Sequence, residues 1–241
     1  MGVDASSKGG AGVLRRALSL IINLAIALIA LSAWAGKTFI VDKHGQFSAG
    51  GLENLKYFTV LSNLLQGVVS ACCAWRLFTL LLGGRRSFSP GLVRMKYMAT
   101  TSVALTFFTV LGFLGPVFGY ENMYQGANFW FHLVVPVLSM VDFCLVDREG
   151  TVKAREIPFA ALPILLYGLF YVGNLRLNGV GRGADTYDWY GFARGGPKTA
   201  ATVFLILTLS GLVLAALLRL PRRARGRKKR FDVPSRNHYN G

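Results

Sequence analysis

Charge is scarce in this chain. Only 16% of its 241 residues are Asp, Glu, Lys or Arg, while 53% are hydrophobic; a soluble domain carries roughly 25% charged residues. With a mean hydropathy of +0.43 and long uncharged runs, this shortage excludes a soluble globular fold and indicates an integral membrane protein. Acidic residues are the scarcer sign, 11 against 27 basic ones, for a net charge of +16. Nucleic-acid binding would need a basic face on a soluble domain. Here Lys and Arg stand at the ends of apolar runs instead, as in membrane topology, and nucleic acid is excluded as a partner. The three cysteines, Cys72, Cys73 and Cys144, lie inside apolar runs without metal-ligand spacing. They read as small packing residues, not as a disulfide or a zinc site. No motif calls for a metal or an organic cofactor.

Against that background the apolar runs stand out. Residues 1–14 are Gly- and Ser-rich and read as a disordered tail. Six candidate transmembrane helices follow in the region 15–220: Ala17 to about Ala35, Leu55 to Leu82, Met95 to Val117, Ala127 to Val146, Ile157 to Leu175, and Thr199 to Leu220. Pro136 is expected to kink the fourth, and Gly115-Pro116 to weaken the end of the third. Residues 221–241 form a basic tail able to hold anionic lipid head groups as well as to anchor topology. The fold class is therefore all-α, polytopic, with six spans. Of the 27 Lys and Arg residues, 20 flank the side carrying both termini and 7 the other, which places both termini in the cytoplasm. The Arg-, Ala- and Gly-rich composition points to a bacterial inner membrane.

Two of the runs carry polar stripes. Thr59, Asn63, Gln66 and Ser70 recur on one face of the second helix, and Asn128, His132, Ser139 and Asp142 on one face of the fourth. His132 is the only histidine inside an apolar run. Both stripes begin a few residues into helices that enter from the same side, which puts Thr59 and His132 at similar depths, roughly 6–8 Å below the helix starts. The fifth helix adds Tyr167, Tyr171 and Asn174 on one face.

Ionisable groups inside a membrane face the bundle interior and mark functional sites. A histidine works as a general base near neutral pH, and a threonine hydroxyl becomes a nucleophile when a base takes its proton. Thr59 and His132 are thus the minimum equipment for acyl transfer, with Asn63, Gln66 and Asn128 as amide donors to a developing oxyanion. No carboxylate stands beside His132 in sequence. Glu121, Asp185 and Asp188 on outer loops are the candidates to orient it. The competing structural reading has the Thr59 hydroxyl bonded back to the backbone or across to another helix. The competing functional reading is a transporter or channel with a proton or ion path through Asp142 and His132. Alternatively, Asp142 pairs with a basic loop residue.

The run Lys56-Tyr57-Phe58-Thr59 through Asn63 and Gln66, the run Asn128 through His132 to Pro136, and the aromatic segment Tyr187–Tyr190 before the last helix resemble the androgen-induced and androgen-dependent six-helix membrane proteins and their prokaryotic relatives. The resemblance implies a threonine hydrolase that cleaves fatty acid esters of hydroxy fatty acids. It implies Thr59 as nucleophile, His132 as its histidine and a membrane lipid or fatty acid ester as substrate, around which the polar helix faces are expected to place Asn63, Gln66, Asn128, Tyr167, Tyr171 and Asn174. An acyltransferase using the same pair remains an alternative.

Overall fold

The computed structural model describes residues 3–40, 49–84, 87–181 and 186–231. Six helices are long and apolar enough to cross a membrane: α1 (Gly10–Ile40), α2 (Phe58–Leu81), α3 (Pro90–Phe118), α4 (Ala127–Val146), α5 (Ala154–Asn178) and α6 (Pro197–Arg222). There is no strand among the described residues, and the chain is an all-α, multi-pass membrane protein. The helical backbone of α1 begins at Val3, and that of α6 continues to Phe231.

Consecutive helices run up and down, so the two ends of the bundle differ. One end, the basic end, gathers Arg16, Ser87, Lys96, Asp147, Glu149 and Arg222. The opposite end, the aromatic end, is closed by the α5–α6 loop, where Tyr167, Tyr171, Trp189, Tyr190 and Phe204 pack together. Small residues set the closest approaches. A Cβ on Gly67 of α2 would meet Ala30 of α1 at 3.1 Å, and one on Gly168 of α5 would meet Phe204 of α6 at 3.0 Å. Helices in lipid associate chiefly through such contacts.

The helix starts differ from those read in the sequence: α1 is helical from Val3, within the stretch read as a disordered tail, and the second and third helices are reset by local contacts. The second helix begins at Phe58, three residues after Leu55. Residues Gly51–Lys56 form a tighter three-residue-per-turn helix, and Tyr57 is extended. Asn54 imposes this: its buried side-chain amide bonds Thr38 Oγ1 at 2.9 Å and the Gly51 carbonyl at 2.6 Å. Thr59 consequently lies in the first turn of α2, shallower than His132, which is the sixth residue of α4. The third helix begins at Pro90 instead of Met95, because Ser89 caps it by accepting from the Leu92 N–H at 3.2 Å and proline suits the first helical position.

The prolines widen helices without ending them. α3 continues past Pro116 to Phe118, and α4 past Pro136 to Val146. Widened turns at Val110–Leu114 and Trp130–Val134 lie immediately before those prolines. A proline has no N–H for the carbonyl four residues back and crowds it, so the preceding turn opens. In α4 that carbonyl belongs to His132, which therefore sits within an opened turn, a local geometry common at functional sites.

Candidate functional site

The first turn of α2 is fixed from outside. Tyr57 caps it without using its side chain. The Phe58 N–H instead donates to the hydroxyl of Tyr190 at 2.8 Å. That hydroxyl also bonds Tyr167, whose own hydroxyl donates to the Lys56 carbonyl at 2.5 Å and accepts from Trp189 Nε1 at 3.0 Å. Tyr171 donates to the Asp188 carboxylate, which also accepts from the Ala193 N–H at 2.9 Å. Burial, the largest influence on it, drives Tyr190 well above the usual tyrosine pKa, so its hydroxyl stays protonated. The aromatic loop and α5 thus hold the α2 start at Lys56 and Phe58.

Thr59 follows directly. Its carbonyl accepts from Ser62 and Asn63, but its hydroxyl has no hydrogen-bond partner among the described residues. Several other hydroxyls in the spans donate back along their own helix: Thr101 to Tyr97 at 2.9 Å, Ser102 to Met98 at 2.9 Å, and Ser139 to Val135 at 2.7 Å. Thr59 stands in the first turn, where no helical carbonyl lies behind it. Its side chain faces a narrow chamber of about 60 Å³ between α2, α3, α5 and α6, bounded by Thr106, Tyr167, Tyr190 and Phe204. Phe58 and Tyr167 also wall an apolar groove of about 400 Å³ between α2 and α5, with Leu61, Leu65, Pro163 and Phe170 along it.

His132 is buried. Its Nδ1 lies 2.6 Å from the Met123 carbonyl, which can only accept, so Nδ1 carries the proton. Nε2 is then the lone-pair nitrogen, and it has no hydrogen-bond partner among the described residues. The orienting group is thus a backbone carbonyl in the short Tyr120–Met123 helix, not a carboxylate. Glu121 is exposed, Asp188 is committed to Tyr171, and Asp185 lies outside the described residues.

Asn63 brings the two elements together. One amide nitrogen, Nδ2, lies 2.8 Å from the Thr59 carbonyl and 3.2 Å from the carbonyl of Phe131, the neighbour of His132. No hydrogen bond joins Thr59 to His132 directly among the described residues. Gln66 donates to Ser70 Oγ at 2.9 Å. The N–H groups of Asn63 and Gln66 are therefore engaged inside the protein, and their free atoms, Oδ1 and Oε1, are acceptors. The Thr59 N–H stands at the positive end of α2, where first-turn N–H groups have no intrahelical acceptor.

The remaining sequence candidates separate. Asn128 Oδ1 accepts from Lys37 Nζ at 3.2 Å. Lys37, at the end of α1 and 1% exposed, was not singled out by the sequence, where it reads as a loop cation; burial of a lysine has no local signature. Tyr167 lines both the chamber and the groove. Tyr171 is withdrawn into the loop network, and Asn174 accepts from Asn178 at 2.8 Å, on the exposed side of α5.

Asp142 belongs to a second polar centre, at the basic end. Its carboxylate lies 2.5 Å from Lys96 Nζ and accepts from Ser19 and Asn23 of α1, both at 2.7 Å. Lys96 also pairs with Asp147 at 2.9 Å, and Arg222 of α6 reaches Asp147 at 2.6 Å. Asp142 thus pairs with a basic residue of a neighbouring helix, α3, and not of a loop. Burial alone would raise Asp147, but Lys96 and Arg222 hold its carboxyl below the ordinary value. Every charge here is paired and hydrogen-bonded, which satisfies a buried ion network.

No cluster of His, Cys, Asp or Glu among the described residues could hold a metal ion. Comparison with protein-family models, curated proteins and solved structures finds no match.

Proposed function

We propose that this protein is an intramembrane lipid ester hydrolase, acting on fatty acid esters of hydroxy fatty acids or similar acyl esters. The observation that carries the reading is Thr59: an unbonded hydroxyl at the positive end of α2, facing an apolar chamber, with its backbone clamped through Asn63 to the segment bearing a lone-pair histidine. In this reading the ester carbonyl oxygen points at the Thr59 N–H. Thr59 Oγ1 attacks the carbonyl carbon as its proton passes to His132 Nε2, directly or through one water. The tetrahedral intermediate expels the alcohol, which takes that proton, and leaves an acyl-threonine. Water, deprotonated by the same nitrogen, then releases the fatty acid and restores Thr59. The α2–α5 groove holds an acyl chain, since it is apolar and shares Phe58 and Tyr167 with the chamber that Thr59 lines.

The engagement of Asp142 by Lys96, Ser19 and Asn23 disfavours the rival proton or ion path, because that carboxylate is already neutralised. An acyltransferase would share the first half of the chemistry and replace water by another alcohol. Turnover of a labelled fatty acid ester by purified protein, with and without a competing alcohol, tests the proposal. Free fatty acid released by the wild type and not by Thr59→Ala is the expected result. Equal release by both proteins overturns it. The 20-to-7 division of basic residues supports cytoplasmic termini in a bacterial inner membrane, with the site in the outer half. The cluster of basic residues after Leu220 supports contact with anionic lipid head groups.

A further inference from the structure

Hydrolysis inside a bilayer needs water delivered to a site walled by apolar side chains. Along α2, Asn63, Gln66, Ser70 and Cys73 form one stripe of a single helical face, each at most 1% exposed. It spans roughly 15 Å at 1.5 Å per residue. At its upper end Asn63 bonds the carbonyl beside His132. At its lower end Cys73 lies within the electrostatic reach of Lys96 and Asp142. The stripe therefore links the two polar centres of the bundle.

Its hydrogen bonding is incomplete in a particular way. Asn63 Oδ1 and Gln66 Oε1 are fully buried without a partner, and so are Thr100 Oγ1 on α3 and Asn23 Oδ1 beside Asp142. The register of α3 against α2 is set by Ser62 opposite Thr106 (3.4 Å) and Lys96 near Cys73. Thr100 falls between those two crossings along α3 and is fully buried. A buried polar atom left unmatched is costly, because it has given up its bonds to water without replacement. Three of the four are carbonyl oxygens, which call for a donor, and the charges nearby are already neutralised by one another.

We infer that the α2 stripe binds a file of ordered water molecules joining the His132 region to the Lys96–Asp142 centre. Water meets these needs, donating to the amide oxygens and exchanging with the Thr100 hydroxyl. Under the hydrolase reading, on which this use of the file rests, it supplies the water that cleaves the acyl-threonine.

Radiolytic hydroxyl labelling of the resting protein in lipid nanodiscs, without substrate, tests the water file separately from any activity. Cys73, on the stripe itself, is fully buried, and in a wet stripe it labels, relative to its intrinsic reactivity, several times faster than the equally buried Tyr171. Equal, low labelling overturns the file and leaves the hydrolase reading intact. Thermal unfolding of Thr100→Val gives an independent answer. A hydroxyl bound to water makes the variant less stable, whereas a dry, unmatched hydroxyl makes it more stable and refutes the proposal. Stabilisation of the wild type by sodium over choline would assign the acceptors to a cation instead, overturning it. For a protein that turns over esters, Gln66→Leu is expected to lower kcat at least about tenfold with KM unchanged. A raised KM with unchanged kcat would place Gln66 against substrate and remove it from the file.

Discussion

Asn63 Nδ2 lies 3.2 Å from the carbonyl oxygen of Phe131 while also holding the carbonyl of Thr59 at 2.8 Å. A single amide thus spans the gap between the start of α2 and the opened turn of α4. Asn63→Leu keeps the volume and removes both bonds. It should lower stability by about 1–2 kcal/mol and ester turnover by far more than that, since the two reacting elements lose their common register. Turnover falling only in proportion to the folded fraction would show that the clamp is purely structural.

Thr59→Ala should cost only about 1 kcal/mol of stability, because the hydroxyl has no internal partner to strand. Its ester hydrolysis should fall at least about a thousand-fold, and His132→Ala should fall nearly as far, with the double variant little worse than either. Thr59→Ser should retain measurable activity, as the hydroxyl stays and only the methyl that restrains its rotamer goes. Labelled-ester turnover on size-exclusion-purified protein measures all four. Additive losses in the double variant would separate the two residues mechanistically.

Lys96→Met leaves Asp142 and Asp147 buried near each other without their shared cation. Breaking a buried pair by removing one partner costs about 3–5 kcal/mol. A large fall in the thermal midpoint is expected, and Lys96→Arg should recover part of it. A midpoint within a degree or two of wild type would mean that the network contributes little.

Asp147 gives the bundle an acid limit. Its folded carboxyl is held below the ordinary value of 3.8, so its contribution is present above that pH and is lost as pH falls through the depressed folded-state value. Thermal midpoints measured on the acid side should drop for wild type. In Asp147→Asn they should start lower and change less with pH. Parallel curves would remove Asp147 from the acid response.

Reporter fusions should place both termini in the cytoplasm and Tyr187 outside, following the distribution of basic residues. A reporter active in the cytoplasm at Tyr187 would invert the bundle and move the candidate site to the inner half.

The six spans were legible because each is a long apolar run bounded by charge or glycine, a signal that survives any tertiary context. The stripes on α2 and α4 were legible through helical spacing, which correctly put Asn63, Gln66, His132, Ser139 and Asp142 inside. What sequence could not supply was the identity of partners. His132 is oriented by the Met123 carbonyl, and every residue has a carbonyl. Asp142 is matched by Lys96, which reads as a flanking cation until α3 is known to begin at Pro90 and carry it inward. The late start of α2 depends on Asn54 meeting Thr38, a contact across a loop. Gln66 offered an amide to any reader of the sequence, yet only packing shows that its donor goes to Ser70.

The shared cation of Asp142 and Asp147 also bears on how the chain is built into a membrane. Lys96 arrives with α3, and its two carboxylate partners arrive only with the end of α4. A lone charge in an inserted helix costs about 2.5–3.5 kcal/mol on translocon scales, so these two helices gain by entering as a hairpin, and the loop between them carries no basic residue to resist transfer. Arg222 closes the network last, from the far end of the sixth helix. Synthesis that stops before it leaves Asp147 only half matched, a chemical mark by which an unfinished chain differs from a complete one.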